Sequence, residues 1–314
     1  MNGMRLPLPE ELEGRAFAVG EAKALGIGPG RLVSPDLSRP FRGVRIPADA
    51  ALEELRDRAI AFSPRLRPHQ AFGGLSAAAL HGLPLAARHR GDPGVDLIVE
   101  HGRNLPRGRN VRARRVAPER WSIAEVDGIR TASPLLTLET LVARSGAEEL
   151  GVIADALLTA SRRYPGLSAP GRALATAGEL GAFADAWGRR PGAEKLRQAV
   201  AFAREGVDSP MESRLRWAIV MVGGFPEPLV GAPAYEGDLL LGTPDLSYPE
   251  LRIAIEYEGD QHRVDKRRWR EDVARKRLFE AWDWIVLRAI ADDIHHGAQR
   301  FLADLAHARS TRGG

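Results

Sequence analysis

The chain has 314 residues, 44% of them hydrophobic and 27% charged, which excludes a wholly disordered protein and leaves room for two or three domains. Its 45 basic residues stand against 41 acidic ones, and a formal charge of +4 does not by itself identify a nucleic-acid partner. Cysteine is absent, which excludes disulfides, Cys-ligated zinc, iron–sulfur clusters and thiol catalysis, and favours a reducing compartment.

Only Lys23, Lys195, Lys266 and Lys276 are lysines, and the other basic residues are arginines. Arginine suits bidentate phosphate contacts. The accompanying wealth of Ala, Gly and Pro fits a compositional bias equally well. The N-terminus has no apolar core and reaches Glu10 and Glu11 early, unlike a signal peptide. No apolar run approaches the about 18 residues of a membrane span. The expectation is a soluble, cytoplasmic protein without a membrane partner.

In chain order, residues 17–26 predict a short helix closed by Gly26, 27–33 a second helix and 39–47 a turn and strand. That is the outline of a winged helix-turn-helix. Residues 51–85 read as mostly helical, closing at Gly82 and Pro84. Strands are expected at 95–99, 111–116 and 128–131, then helix over 134–160 and a Pro/Gly loop at 164–171, with further helix up to 205. Ser209, Pro210 and Glu212 form a capping-box pattern that opens a helix at 210–221. Strand-like pieces near Leu229 and at 239–241 precede a hairpin over 244–260. A charged helix at 264–281, a strand at 284–288 and a last helix to 308 complete the chain. The expected class is α/β. The expected domains are a winged-helix-like domain at 1–50, a mixed middle domain at 51–205 and an α/β domain at 206–314.

The chemistry concentrates in the hairpin. Period two places Leu251, Ile253, Ile255 and Tyr257 on one face, and Ala254, Glu256 and Glu258 on the other. Asp245 can face those carboxylates from the neighbouring strand. Clustered carboxylates repel and are costly to desolvate unless a cation shares them, and Mg2+ or Mn2+ favours such oxygen ligands. The same spacing also fits two acids on the wet face of an edge strand. Gly259 then allows a tight turn or close approach, and His262 offers a ring nitrogen for a proton or a phosphate. The next helix carries Arg275 and Lys276 beside Asp272, at i+3 and i+4. Basic residues beside a carboxylate cluster suit a phosphodiester, although a solvated charged helix looks alike. Upstream, residues 101–120 hold seven arginines, Arg112, Arg114 and Arg115 among them, against the single acid Glu119. That is a basic hairpin able either to track a DNA backbone or simply to present a soluble strand face. His69, His81, His89 and His101 lack metal-ligand spacing, and no Walker, Rossmann or G-x-S-x-G pattern occurs.

Ser209-Pro-Met-Glu-Ser-Arg-Leu-Arg216, Asp245 after a proline, Ile255-Glu-Tyr-Glu-Gly-Asp-Gln-His262, Asp272-Val-Ala-Arg275 and Trp284-Ile-Val-Leu-Arg288 occur in this order. Together they resemble the endonuclease-like DUF559-type domain, related to the very-short-patch mismatch-repair nucleases of the PD-(D/E)xK superfamily. The resemblance covers about residues 207–308. It implies a restriction-endonuclease-like α/β core and divalent-metal hydrolysis of DNA. It also implies that Glu212 is the acid of the first core helix, that Asp245 and Glu256 are metal ligands, and that the Tyr257 carbonyl is a third. His262 would be the histidine after the strand, and Asp272 and Arg275 the D-x-x-R of the next helix. One departure stands out: the superfamily's lysine is Glu258 here, so its role passes to other groups, with Glu258 as extra ligand or water-orienting base and Arg275 as the cation. Residues 17–47 and the segments Leu80-His-Gly-Leu-Pro84 and Thr131-Ala-Ser-Pro-Leu-Leu-Thr-Leu-Glu139 resemble AbiEi-type antitoxins and related regulators. The expectation is therefore a metal-dependent DNA endonuclease, the alternative being a DNA-binding regulator whose nuclease fold is inactive.

Overall fold

The computed structural model describes residues 7–259, 275–295 and 297–314, and the chain divides into two units, Met1–Ser145 and Gly146–Gly314. Neither expected boundary, at 50/51 or 205/206, coincides with this division. Both units combine helices with mixed sheets, the α/β class expected.

In the first unit Phe17–Ala18, Val44–Pro47 and Leu37–Ser38 form a small antiparallel sheet with Val44–Pro47 in the middle. Phe17 and Ala18 pair with Arg45 and Val44, so the helix expected from residue 17 starts only at Val19 and ends at Ala24. The second expected helix is one 3-10 turn, Arg31–Val33, hemmed in by Gly30 and Pro35. Leu12, Phe17, Ala22, Leu32 and Leu37 close a small core of their own.

A five-stranded sheet follows, in the order Val111–Val116, Val95–Glu100, Gln70–Phe72, Ile129–Ala132, Ile123–Val126. Val95–Glu100 is inside it and buried from Val95 to Val99, whereas Val111–Val116 is an edge whose arginines face outward. Gln70–Phe72, in a stretch expected to be helical, is a fully buried strand. Gly73 and Gly74 then turn the chain into the helix Gly74–His81. A Cβ at Gly73 would meet Ile98 Cγ2 at 2.6 Å and one at Gly74 would meet Asp96 Oδ2 at 2.8 Å, with Gly74 at φ +50°. Only glycine brings the backbone this close.

The second unit sets the helices Ala147–Leu158, Ala177–Trp187 and Ala193–Phe202 ahead of Pro210–Trp217. Ser209 caps the last of these, its Oγ accepting the Glu212 N–H at 3.2 Å, with Pro210 in the first turn. The α-helix ends four residues short of the expected 221, passing into a π turn, Ala218–Val222. A four-stranded sheet runs in the order Ile285–Ile290, Ile253–Glu258, Leu246–Tyr248, Leu229–Val230. The first two strands are parallel and the others antiparallel. Ile253 and Ile255 pack with Leu215, Ile219, Phe301 and Leu305 on one face, and Ala254 packs with Leu241, Phe279 and Trp284 on the other. The helix Gln299–Thr311 covers the first face, and helical residues 275–281 cover the second.

Within this unit a buried cation ties residues 146–205 to the helix Pro210–Trp217. Arg216 on Pro210–Trp217 is fully buried, and its Nη2 donates to both carboxylate oxygens of the equally buried Asp155, at 2.9 and 2.8 Å. The same guanidinium donates to the Phe202 carbonyl at 2.7 Å and to Glu227 at 2.6 Å, and lies 3.7 Å from the centroid of the Phe202 ring. Removing one partner strands the other charge without water, a loss of roughly 3–5 kcal/mol. We expect Arg216→Ala to lower unfolding stability by about that amount, and Arg216→Met with Asp155→Leu to recover at least ~2 kcal/mol of it. Urea denaturation of the three proteins checks both outcomes.

Candidate carboxylate site

The site is built where the central strand of the second unit ends. The turn Pro249–Leu251 and Arg252, at φ +51°, reverse the chain so that Leu246 lies opposite Ile255. One residue beyond that last pair, the Asp245 carboxylate takes over from the ladder: its Oδ2 accepts the Tyr257 N–H at 2.7 Å, while its carbonyl accepts the Gly231 N–H at 2.9 Å. Asp245 therefore joins three strands at one point. Glu256 is largely buried on the face shared with Ala254, and Arg275 meets its Oε1 at 3.0 Å. Glu212 approaches from Pro210–Trp217, on the other face. It is 7% exposed, and its Oε2 accepts the Asp208 N–H at 2.9 Å.

The electrostatics follow from that crowding. Burial pushes the Glu212 carboxyl up to about 8, and the negative charge of Asp245 adds to the shift. Burial likewise raises Asp245 to about 6; Glu256 and Asp208 push the same way, while the Tyr257 N–H and Arg275 oppose. Asp208, which the sequence reading missed, is thus a fourth carboxylate beside the site, held by Arg163 at 3.2 Å. Its only sequence signal is its place immediately before the Ser209 cap.

Asp245 is the shared neighbour: the Tyr257 N–H binds it, its charge acts on Glu212 on one face, and Glu256, paired with Arg275, acts on it from the other. Glu258 points to the same side as Glu256 but is half exposed, with Arg288 at 3.4 Å from its Oε1. Lys276 lies one helical turn from Glu280, at 3.5 Å. Gly259 ends the strand half-buried, and a Cβ there would make ordinary contact with Tyr257, at 3.5 Å. His262 and Asp272 lie outside the described residues.

Arg112, Arg114 and Arg115 are exposed on the edge strand of the first unit. Arg112 is internally balanced, donating to Asp96 at 2.5 Å and Asp92 at 2.8 Å, where Arg144 also binds. Arg114 and Arg115 each donate to a backbone carbonyl, of Thr140 and Arg103, and form no ion pair among the described residues.

Among the described residues no three acidic or histidine side chains are gathered closely enough to hold a metal ion. Asp245 and Glu256 remain as a pair of hard oxygen donors beside solvent, a donor set of the kind that suits Mg2+ or Mn2+, which retain several waters and commonly use one or two carboxylates.

The chain is similar to two proteins of Mycobacterium tuberculosis, uncharacterized protein MT2308 of strain CDC 1551 / Oshkosh and uncharacterized protein Rv2248 of strain ATCC 25618 / H37Rv. Each is 26% identical over 241 residues, covering 74% of this chain and 78% of the relative. No family model matches the chain, and no solved structure matches it significantly.

Proposed function

We propose that the protein is a metal-dependent DNA endonuclease whose hydrolytic site is built on Asp245 and Glu256. The observation that carries this reading is the crowding around Asp245, whose charge is felt by Glu212 from the helix side and which itself feels Glu256 from the neighbouring strand. There burial and mutual repulsion raise two of the three carboxyls, Glu212 and Asp245. A fold keeps such repulsion where a cation or a proton relieves it. Asp245 and Glu256 would hold a divalent cation, and the Tyr257 carbonyl is the third ligand that the resemblance implies. The chemistry supplied by a bound Mg2+ or Mn2+ is Lewis-acid polarisation of the phosphoryl oxygen and a more acidic water. Asp245, fixed by the Tyr257 N–H, orients the donor set. Glu212, with its raised pKa, is a reservoir for a proton at its carboxyl oxygen. The products follow the resemblance: a 5′-phosphate and a 3′-hydroxyl.

A second reading, a DNA-binding regulator with an inactive nuclease fold, is favoured by one observation: Arg275 occupies the Glu256 carboxylate at 3.0 Å, as an internal counter-ion would. His262, named as an acid–base or phosphate-holding group, belongs to neither argument. DNA is the proposed partner under both readings.

Cleavage of duplex, nicked, mismatched, branched and single-stranded DNA with Mg2+ or Mn2+ separates them. The endonuclease reading expects metal-dependent turnover that falls at least ~100-fold in Glu256→Ala and in Asp245→Asn. DNA binding without turnover in the parent selects the regulator.

The raised carboxyls also set a pH dependence. Each of these two carboxyls holds its proton to higher pH folded than unfolded, so their contribution to metal-free stability declines as pH rises through the Asp245 and Glu212 values of about 6 and about 8. We expect Glu212→Gln to flatten the upper part of that decline and to be more stable than the parent at pH 9 by ~1–2 kcal/mol. Mg2+ should raise the parent's Tm more at pH 8 than at pH 5 and leave Asp245→Asn unmoved. Thermal denaturation against pH, with and without Mg2+, reads all three.

A further inference from the structure

Among the described residues, two arginines reach the carboxylates of the strand Ile253–Glu258, and they differ in how firmly they are held. Arg275 lies 3.0 Å from Glu256, a carboxylate with a side-chain exposure of 15%. Arg288 lies on the neighbouring parallel strand Ile285–Ile290, where the ladder sets it beside Glu256. Parallel register puts its side chain on the face that bears both glutamates. Its guanidinium turns to the outer one, Glu258, at 3.4 and 3.5 Å from the two oxygens. Both partners are open to water, with side-chain exposures of 35% and 50%. A long, monodentate-type contact between exposed groups contributes little stability. Geometry of this quality is easily exchanged for a better acceptor, and a phosphate oxygen is one that arginine binds in a shorter, charge-assisted form.

We infer that Arg288 is the cation that engages the scissile phosphodiester at this site, and that Glu258 is the internal carboxylate it releases to do so. The inference rests on the proposed nucleic-acid substrate. It assigns the positive charge to the residue whose contact is weak, while Arg275 stays as the counter-ion of Glu256. Glu258 then acts as a gate on Arg288. An approaching phosphate has to displace it, and its negative charge opposes any anion that arrives without displacing it.

A double-mutant cycle on DNA affinity tests this in the full-length protein. A short duplex is titrated by fluorescence anisotropy with Ca2+ present, and a gel confirms that the duplex stays intact. The parent is compared with Arg288→Ala, Glu258→Gln and the double variant, and Arg288→Lys serves as the conservative change. Arg288→Ala should weaken binding about 5–10-fold and Arg288→Lys less, since lysine keeps the charge without the fork. Glu258→Gln should tighten binding about 3–5-fold in the parent, by freeing Arg288, and by less than about 1.5-fold when Arg288 is already alanine. Equal tightening in both backgrounds would mean that Glu258 acts only as a background charge, and would overturn the inference. Cleavage by the parent, measured alongside with Mg2+, keeps the two ideas apart. A coupled cycle without parental cleavage leaves Arg288 as a phosphate holder and removes the nuclease. Parental cleavage with an additive cycle keeps the nuclease and removes Arg288. A parent that does not bind DNA overturns both.

Discussion

Arg216 sets the terms for the second unit. A guanidinium fully removed from water needs its charge matched, and here Asp155, Glu227 and the Phe202 carbonyl take up Nη1 and Nη2 while the Phe202 ring covers its plane and Nε is left without an acceptor. These partners come from two helices and the loop leading to the sheet. Their agreement on one point sets where Pro210–Trp217 lies, and with it the end that carries Glu212. Asp155 also accepts the Arg204 N–H at 2.8 Å, so the chain leaving Ala193–Phe202 is led toward the Ser209 cap from a defined position. An apolar pair would fill the same space without specifying this direction. The ion pair makes incorrect helix placements costly, because each would leave a buried charge alone.

The carboxylate site inherits that precision at its helical end and gets the rest from the sheet. Asp245 is held at the point where the ladder runs out, by a peptide N–H that would otherwise lack a partner there. Glu256 is held by being on the inner side of the same strand. The raised pKa values of Glu212 and Asp245 are the cost of collecting carboxylates in a half-dry place, and structural economy alone gives no reason to collect them. That cost is the strongest physical pointer to a function here. It speaks for a cation or a proton as the missing relief, without naming the substrate.

Much of this was legible before any coordinates. The hairpin from Asp245 to Glu258 shows period two on both faces, with a Pro-Glu turn between, and its faces pack as that alternation requires. The Ser209–Pro210–Glu212 cap declares itself because all its atoms lie within one turn, although Glu212 reaches the Asp208 N–H rather than that of the cap residue. What stayed hidden is what depends on distance along the chain. Asp155 and Arg216 are 61 residues apart and Glu258 and Arg288 are 30, so neither pair leaves a local pattern. Gln70–Phe72 is too short to show a period, and its tight approach to Ile98 is visible in sequence only as two glycines. Arg112 looked like a free basic residue because Asp92 and Asp96 belong to another strand and its turn.

The charge balance of the site also constrains how the two proposed functions differ physically. Among the described residues, Glu212, Asp245, Glu256, Glu258 and Asp208 outnumber the arginines that reach them, Arg275, Arg288 and Arg163. Without a divalent cation and above the raised pKa values, these carboxylates oppose a phosphodiester. Arg114 and Arg115, without carboxylate partners among the described residues, are suited to a salt-sensitive contact with DNA that needs no metal. Under the enzyme reading, a divalent cation held by Asp245 and Glu256 would offset the negative charge there and add affinity, so binding and cation would be linked. Under the regulator reading Arg275 keeps Glu256 neutralised, and affinity is indifferent to the cation. The two functions are distinguished by thermodynamic linkage between DNA and metal as much as by turnover.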